Sequence, residues 1–324
     1  MDSLLVTSYS RLSHHTLTTS GLTFSVPLQE DFTLTGTMSW TTTDLCLSEI
    51  GVNEADQKAF IRIGGTVSEI SLGGTSSGLF IPGSGSGSIQ SNFFSNNSSG
   101  NGSFTVGVSN TASGSAASAF GDDTNATGDN SFSIGTLTTA TGSNSFSSGT
   151  LTTASGNNSF SSGNVTVASG DSSYSGGKFA SASHYAEWSR SSGVLGQYGI
   201  VSFYGSTSNA TPTELFLDNS SLRFTILPDS VYSVEVMAVA KDATTGDAKE
   251  WTGSGFLIKN IAGTTTAIGA TTLTNTNSDP GLAGITLVMT ANNANDAIQF
   301  EATGLGGNTI NWFIKMEYTM LGNR

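Results

Sequence analysis

Carboxylates, imidazoles and a single thiol are the side chains of this sequence able to act on a substrate, and their spacing decides what they would do. Glycoside cleavage needs two carboxylates facing each other across a groove. Residues 100–183 offer Asp122, Asp123, Asp129 and Asp171, spread along the segment, and no glutamate. The run Gly121-Asp122-Asp123 lacks the G-G-x-G-x-D context of a calcium-binding roll, so these acids read as solvated loop residues. His184 and Glu187 stand three residues apart and read as a capping turn, not a catalytic pair. His14 and His15 are adjacent; on a strand they face opposite ways and make a poor metal pair. Cys46 is the only cysteine, which rules out an internal disulfide, and it reads as a half-buried structural thiol. There is no P-loop, G-x-S-x-G motif or Cys/His cluster. Asn-x-Ser/Thr triplets at Asn101, Asn125 and Asn164 follow from the composition. The expectation is a chain with no catalytic residues, no metal and no cofactor.

What must then carry function is the architecture. At 324 residues the chain has room for two or three domains. Charged residues are 11%, against about 25% in ordinary domains. A net charge of −13 argues against nucleic acid and anionic lipid as partners. Hydrophobic content of 36% with 18 Phe argues against disorder. The first twenty residues hold no basic region followed by an apolar run, and no stretch approaches the ~20 apolar residues of a membrane span. The expectation is synthesis in a cytoplasm, without a secretory leader and without membrane insertion.

Residues 100–183 are six segments in register, from GNGSFTVGVSNTAS to GDSSYSGGKFASAS. Glycine opens each one, at Gly100, Gly114, Gly128, Gly142, Gly156 and Gly170. A second glycine marks each midpoint, at Gly107, Gly121, Gly135, Gly149, Gly163 and Gly177. Both series step by 14, a period that no helix tolerates and that a coil of short strands, with a positive-φ corner at each glycine, requires. Position five of the repeat is Phe104, Ser118, Phe132, Phe146, Phe160 and Tyr174; position seven is Val106, Phe120, Ile134, Ser148, Ser162 and Gly176. Their volumes compensate, which predicts one packed interior column. Position thirteen is always alanine. Such a coil encloses little apolar volume, so lateral association is the natural remedy. The register breaks at His184, where glycine is due, and Trp188 is expected to plug the open end.

NSFSIGTLTTATG and NSFSSGTLTTASG resemble the 14-residue head repeat of YadA-like trimeric adhesins, best at Asn130, Ser131, Phe132, Ile134 and Gly135. That resemblance implies a left-handed parallel β-roll in a tight trimer. The expectation is a departure from bacterial adhesins, without a signal peptide, heptad stalk or C-terminal membrane barrel. Tailed phages use the same repeat in their fibres. EIGVNEADQKAFIR resembles a small module near the start of phage fibre and tail proteins, through Glu49, Gly51, Asn53, Phe60, Ile61 and Arg62. SHYAEWSR, 183–190, resembles the exit segment after such repeats in phage tail proteins.

Beyond about Gly199 the pattern becomes long strands with one apolar face: Tyr232, Val234, Val236, Ala238 and Ala240, and later Ile310, Trp312, Ile314, Met316 and Tyr318. About eight strands in this length predict a jelly-roll-like β-sandwich. The segments ILPDSVYSVEVMAVAKDATTGD and INWFIKMEYT resemble a C-terminal module of phage tail and fibre proteins, whose family role is a tip that binds a receptor or assembles a trimer.

The sequence therefore predicts an all-β homotrimer in five parts. Residues 1–72 form an attachment region of short strands with a hairpin at Gly64-Gly65, 73–99 a Gly/Ser-rich lead-in, 100–183 the roll, 184–198 a cap and 199–324 the sandwich. The expected partners are two further copies of the chain, another virion protein at the N-terminal region, and a host receptor or glycan at the C-terminal domain. The expected place is the virion. Alternatives are a polysaccharide-degrading tailspike and a bacterial trimeric surface adhesin.

Overall fold

The computed structural model describes residues 79–92 and 95–322 in full and, before them, the backbone of seven strands between Val6 and Ser71. Two compact units result, Met1–Ile81 and Pro82–Arg324. In the first, Val6–Tyr9 pairs antiparallel with Phe32–Leu34, and His15–Thr19 with Leu22–Val26. Ile50–Asn53, Lys58–Ile63 and Thr66–Ser71 form an antiparallel meander in which Ile63 stands opposite Thr66. The expectations for His14 and Cys46 lie outside the described residues.

The second unit is all-β, with one three-residue 3₁₀ turn at Pro280–Leu282 as its helical element among the described residues. It begins as a solenoid of about seven turns. Each turn has a five-residue strand at positions five to nine, such as Phe132–Thr136, and a two-residue strand at twelve and thirteen, such as Thr139–Ala140. Strands of successive turns pair in parallel at a 14-residue offset, Phe132 opposite Phe146 and Ala140 opposite Ala154. The pairing reaches beyond the six segments at both ends. Ile89 pairs with Phe104, an offset of fifteen, so the Gly/Ser-rich lead-in supplies a turn with one extra residue. After His184 the register continues, Trp188 opposite Tyr174 and Ser189 opposite Ser175.

The two glycine series serve different needs. Midpoint glycines have φ between 96 and 134°, where a side chain does not fit. Opening glycines do not need positive φ: a Cβ at Gly128 would overlap the carbonyl of Gly142 one turn on. The left-handed corners fall instead at positions three and ten, φ 54° at Asn130 and 55° at Leu137.

The expected interior column faces outward. Position six, not five or seven, is sealed inside: Thr105, Ala119, Ser133, Ser147, Ser161 and Ser175 are all 0% exposed. Positions four, eleven and thirteen complete the interior with Ser, Thr and Ala. The reason is steric, since a 14-residue turn brings its two strands too close for an aromatic ring between them. Hydroxyl pairs bridge this narrow interior, Ser133 Oγ to Thr138 Oγ1 at 2.7 Å, with equivalents at Ser147–Thr152 and Ser161–Thr166. Asn110 performs the task earlier in the chain. Its amide donates to the Val106 and Gly121 carbonyls, and its oxygen accepts from Thr124 N–H and Oγ1. The position-four hydroxyls of Ser103, Ser131, Ser145, Ser159 and Ser173 are buried and meet no hydrogen-bonding group among the described residues.

The five-residue strands run on into the C-terminal region as one sheet. Trp188–Ser191 pairs antiparallel with Gly196–Thr207, followed in order by Ile310–Gly322, Ser230–Asp242, Ala248–Ile261 and Thr264–Ile268. A second antiparallel sheet centres on Ala297–Thr303, flanked by Thr286–Asn292 on one side and by Thr213–Leu215 and Phe224–Thr225 on the other. Phe203, Tyr232, Ile258, Ile314 and Tyr318 from the first sheet and Phe224, Met289, Ile298 and Phe300 from the second are buried in one core. Trp312 Nε1 donates to Thr207 Oγ1 at 2.9 Å, which satisfies the indole inside that core.

Candidate functional site

The outward aromatic column is the most extended surface feature of the solenoid. Phe104, Phe120, Phe132, Phe146, Phe160, Tyr174 and Trp188 make ring contacts from turn to turn, with centroids 4.7–6.1 Å apart. Between Phe132 and Tyr174 the rings are parallel to within 8°. This follows from the 14-residue register, which puts position five directly over its counterpart. Phe120 joins from position seven, because Ser118 stands at five. Trp188 does not plug the end; it is 37% exposed and forms the last rung, edge-on to Tyr198 at 5.9 Å. Phe132, Phe146 and Phe160 thus lie on an apolar stripe with one side open. Such a stripe can bury a matching protein face or stack on planar rings.

Where the solenoid meets the C-terminal sheets, His184 and Glu187 sit in a buried network. Glu187, 1% exposed, accepts from Ser183 N–H, His184 N–H, His184 Nδ1 and the Tyr318 hydroxyl. Burial alone would raise the Glu187 carboxyl, but the hydrogen bond from His184, the charge interaction with that ring and the Tyr318 hydroxyl outweigh it and hold the carboxyl below its usual range. Nε2 of His184 accepts from Thr225 N–H at 3.1 Å, which leaves the proton on Nδ1 for Glu187. Thr225 Oγ1 also lies 3.1 Å from Nε2, so carboxylate, imidazole and hydroxyl stand in the order of a hydrolytic triad. The Thr225 N–H occupies the lone pair a general base would use, so the arrangement is a fastening of the joint, in line with a capping turn. Gln197 completes it. Its side-chain amide donates to Ser181 O and accepts from Ser181 N–H, replacing the next short strand on that face. It also donates to the Tyr318 hydroxyl, 3.0 Å away.

Sequence reasoning missed two further features. Glu235 and Glu317 are directly opposite on neighbouring strands, with Lys315 Nζ 2.8 Å from Glu317 Oε1, beside a cleft of about 450 Å³. They are 82 residues apart in sequence, and only the strand register brings them together. A second cleft, of about 850 Å³, lies at the joint between Arg190, Gln197, Tyr198 and Leu321. Among the acids singled out in the sequence, Asp129 and Asp171 accept from Ser115 N–H and Asn157 N–H of the preceding turn, while Asp122 and Asp123 are exposed on a corner. The structure does not bring these four together. Among the described residues no three His, Cys, Asp or Glu side chains converge as a metal site, and no helix is long and apolar enough to cross a membrane.

No protein-family model matches the chain, and no curated protein matches it. Among solved structures, the tailspike protein of Acinetobacter phage vB_ApiP_P1 aligns at 9% identity with a TM-score of 0.17, over 70% of this chain and 52% of the tailspike. The chain thus spans about half of that protein's length, and a likeness this weak defines neither a family nor a fold. What the molecule itself defines is a class: an all-β chain with a β-solenoid of about seven turns.

Proposed function

We propose that the chain is a structural component of a phage particle, a homotrimeric fibre or spike that meets the host surface by binding and not by catalysis. The observation that carries this reading is the aromatic column. A solenoid whose interior is built mainly of Ser, Thr and Ala presents seven aromatic rungs on its outside, and association of copies along that stripe supplies the apolar burial a single chain lacks. In this reading the roll is left-handed and forms the shaft. The two C-terminal sheets are a β-sandwich tip that contacts a receptor or glycan, and the N-terminal region joins another virion protein. The resemblances of the repeat, of EIGVNEADQKAFIR and of the C-terminal strands to phage fibre segments support it. Light scattering on the purified chain tests it. The expected mass is three times 33.2 kDa, and a stable monomer overturns it.

One observation favours the tailspike alternative. Glu235 and Glu317 stand directly opposite on neighbouring strands and both line the cleft of about 450 Å³, and two carboxylates on one groove are what glycoside cleavage requires. Release of new reducing ends from host polysaccharide, lost in Glu317→Gln, would establish it; no release removes it.

A further inference from the structure

We propose that the apolar corner at position ten of the later turns, Leu137 to Phe179, docks on a neighbouring copy of the chain, seating its side chain in the trough that position seven leaves beside the aromatic column from Ser148 on. The proposal rests on the trimeric reading above and adds which surfaces meet.

Both corners of a turn are left-handed, and they meet that demand with opposite chemistry. Position three uses Gly102, Ala116, Asn130, Asn144, Asn158 and Ser172, small or amide residues suited to the conformation. Position ten, at φ 52–60°, uses Ser109 and Asp123 in the first two turns, then Leu137, Leu151, Val165 and Phe179. Branched and bulky side chains are disfavoured at such φ. Leu137 and Leu151 remain 47 and 49% exposed, so about half of each side chain is left uncovered by its own chain. A strained and exposed leucine, repeated at a fixed step, marks a surface that is covered in the working assembly.

Position seven varies in the opposite sense. It is Val106, Phe120 and Ile134 in the first three turns, then Ser148, Ser162 and Gly176. Ser148 donates to Ser162 at 3.0 Å, so these hydroxyls satisfy each other and leave a low floor beside Phe146 and Phe160. The Tyr174 ring lies over Gly176. The third turn carries apolar bulk at both positions, Ile134 and Leu137; from the fourth turn on it stands at position ten alone. Both columns carry one residue per turn at the same pitch, so two parallel copies side by side match rung for rung. A ten-to-seven contact is head-to-tail, and it closes when three copies complete a ring.

Two single-cysteine chains test the contact, each in a Cys46→Ser background: Ser148→Cys and Leu151→Cys. Mixed, refolded together and oxidised, they should give a disulfide-linked pair of chains within an assembly of unchanged mass. Ser148→Cys mixed with Asn158→Cys, at the other corner, should not. An assembly of trimer mass with no 148–151 link overturns the proposal and leaves the trimer standing; a monomer overturns the reading beneath it. Leu151→Asn gives a second measurement that does not depend on disulfide geometry. Asparagine suits the left-handed corner, so the isolated turn is no less stable, while the assembly should dissociate roughly tenfold more readily. Unchanged or tighter association of Leu151→Asn also overturns the proposal.

Discussion

The solenoid and the C-terminal sheets solve the burial problem in opposite ways. In the sheets, Phe203, Tyr232, Phe300 and Trp312 are inside, and the outward positions mix polar residues with exposed apolar ones such as Val239 and Phe313. In the solenoid the alternation is inverted: serine, threonine and alanine are inside, and phenylalanine is outside. The difference teaches that an alternating strand says only that two faces differ. Which face is buried depends on the space available, and a narrow turn has room only for small side chains. One region carries a self-sufficient core; the other depends on backbone fit and on what covers its rings.

That contrast can be broken most severely at the backbone. Gly135→Ala places a side chain at φ 130° and into the Gly149 carbonyl, and should cost more than about 4 kcal/mol in chemical denaturation. Gly269→Ala, at φ 85° with open space around it, should cost about 1 kcal/mol. Next in size is a pair of truncations. Phe300→Ala, inside the sheets, should lose about 3–5 kcal/mol whatever the protein concentration. Phe146→Ala should lose little in dilute chain and much more when the chain is assembled, so its effect should grow with concentration. A third test lies at the joint. The Glu187 carboxyl is held below its usual range when folded, so its stabilisation is present above the ordinary carboxylate pKa near 4.5 and is lost as pH falls through the folded value. Thermal melts of the native chain should therefore fall on acidification, and Glu187→Gln should be less stable at neutral pH with a flatter acid limb. The smallest effect is opposite in sign. Ser145→Ala removes a buried hydroxyl that has no hydrogen-bonding group around it, and should be neutral or stabilising by up to about 1 kcal/mol. Ala117 already occupies that position two turns earlier.

The 14-residue step was legible because every turn repeats the same backbone demand, which two glycines report. The turn built from 85–99 was not, since its extra residue shifts Ile89 against Phe104 by fifteen and hides the period. His184 concealed the continuation to Trp188 for a related reason: a non-glycine stands where the pattern asks for glycine. In the C-terminal strands the apolar faces through Tyr232–Ala240 and Ile310–Tyr318 could be read directly, and those residues are buried. The contacts of greatest interest for function could not. Glu187 meets Tyr318 and Glu235 meets Glu317 across long loops in sequence, and only strand pairing supplies that information. The surroundings of Phe146 were equally hidden, because volume compensation between positions five and seven is the same on an inner or an outer face.

The uninterrupted sheet from the first solenoid turn to Thr264–Ile268 has a mechanical meaning. Its strands lie crosswise to the direction in which the turns stack, so an axial pull is borne by rows of interstrand hydrogen bonds in series. The splice at Trp188–Ser191 and Gly196–Thr207 continues those rows without a pivot. In the fibre proposed above, a sideways load on the C-terminal sheets would pass into the stacked turns through these shared hydrogen bonds. In that fibre, a pull that peeled turns from the N-terminal end would release fifteen residues from the first turn and 14 from each of the next, one turn at a time.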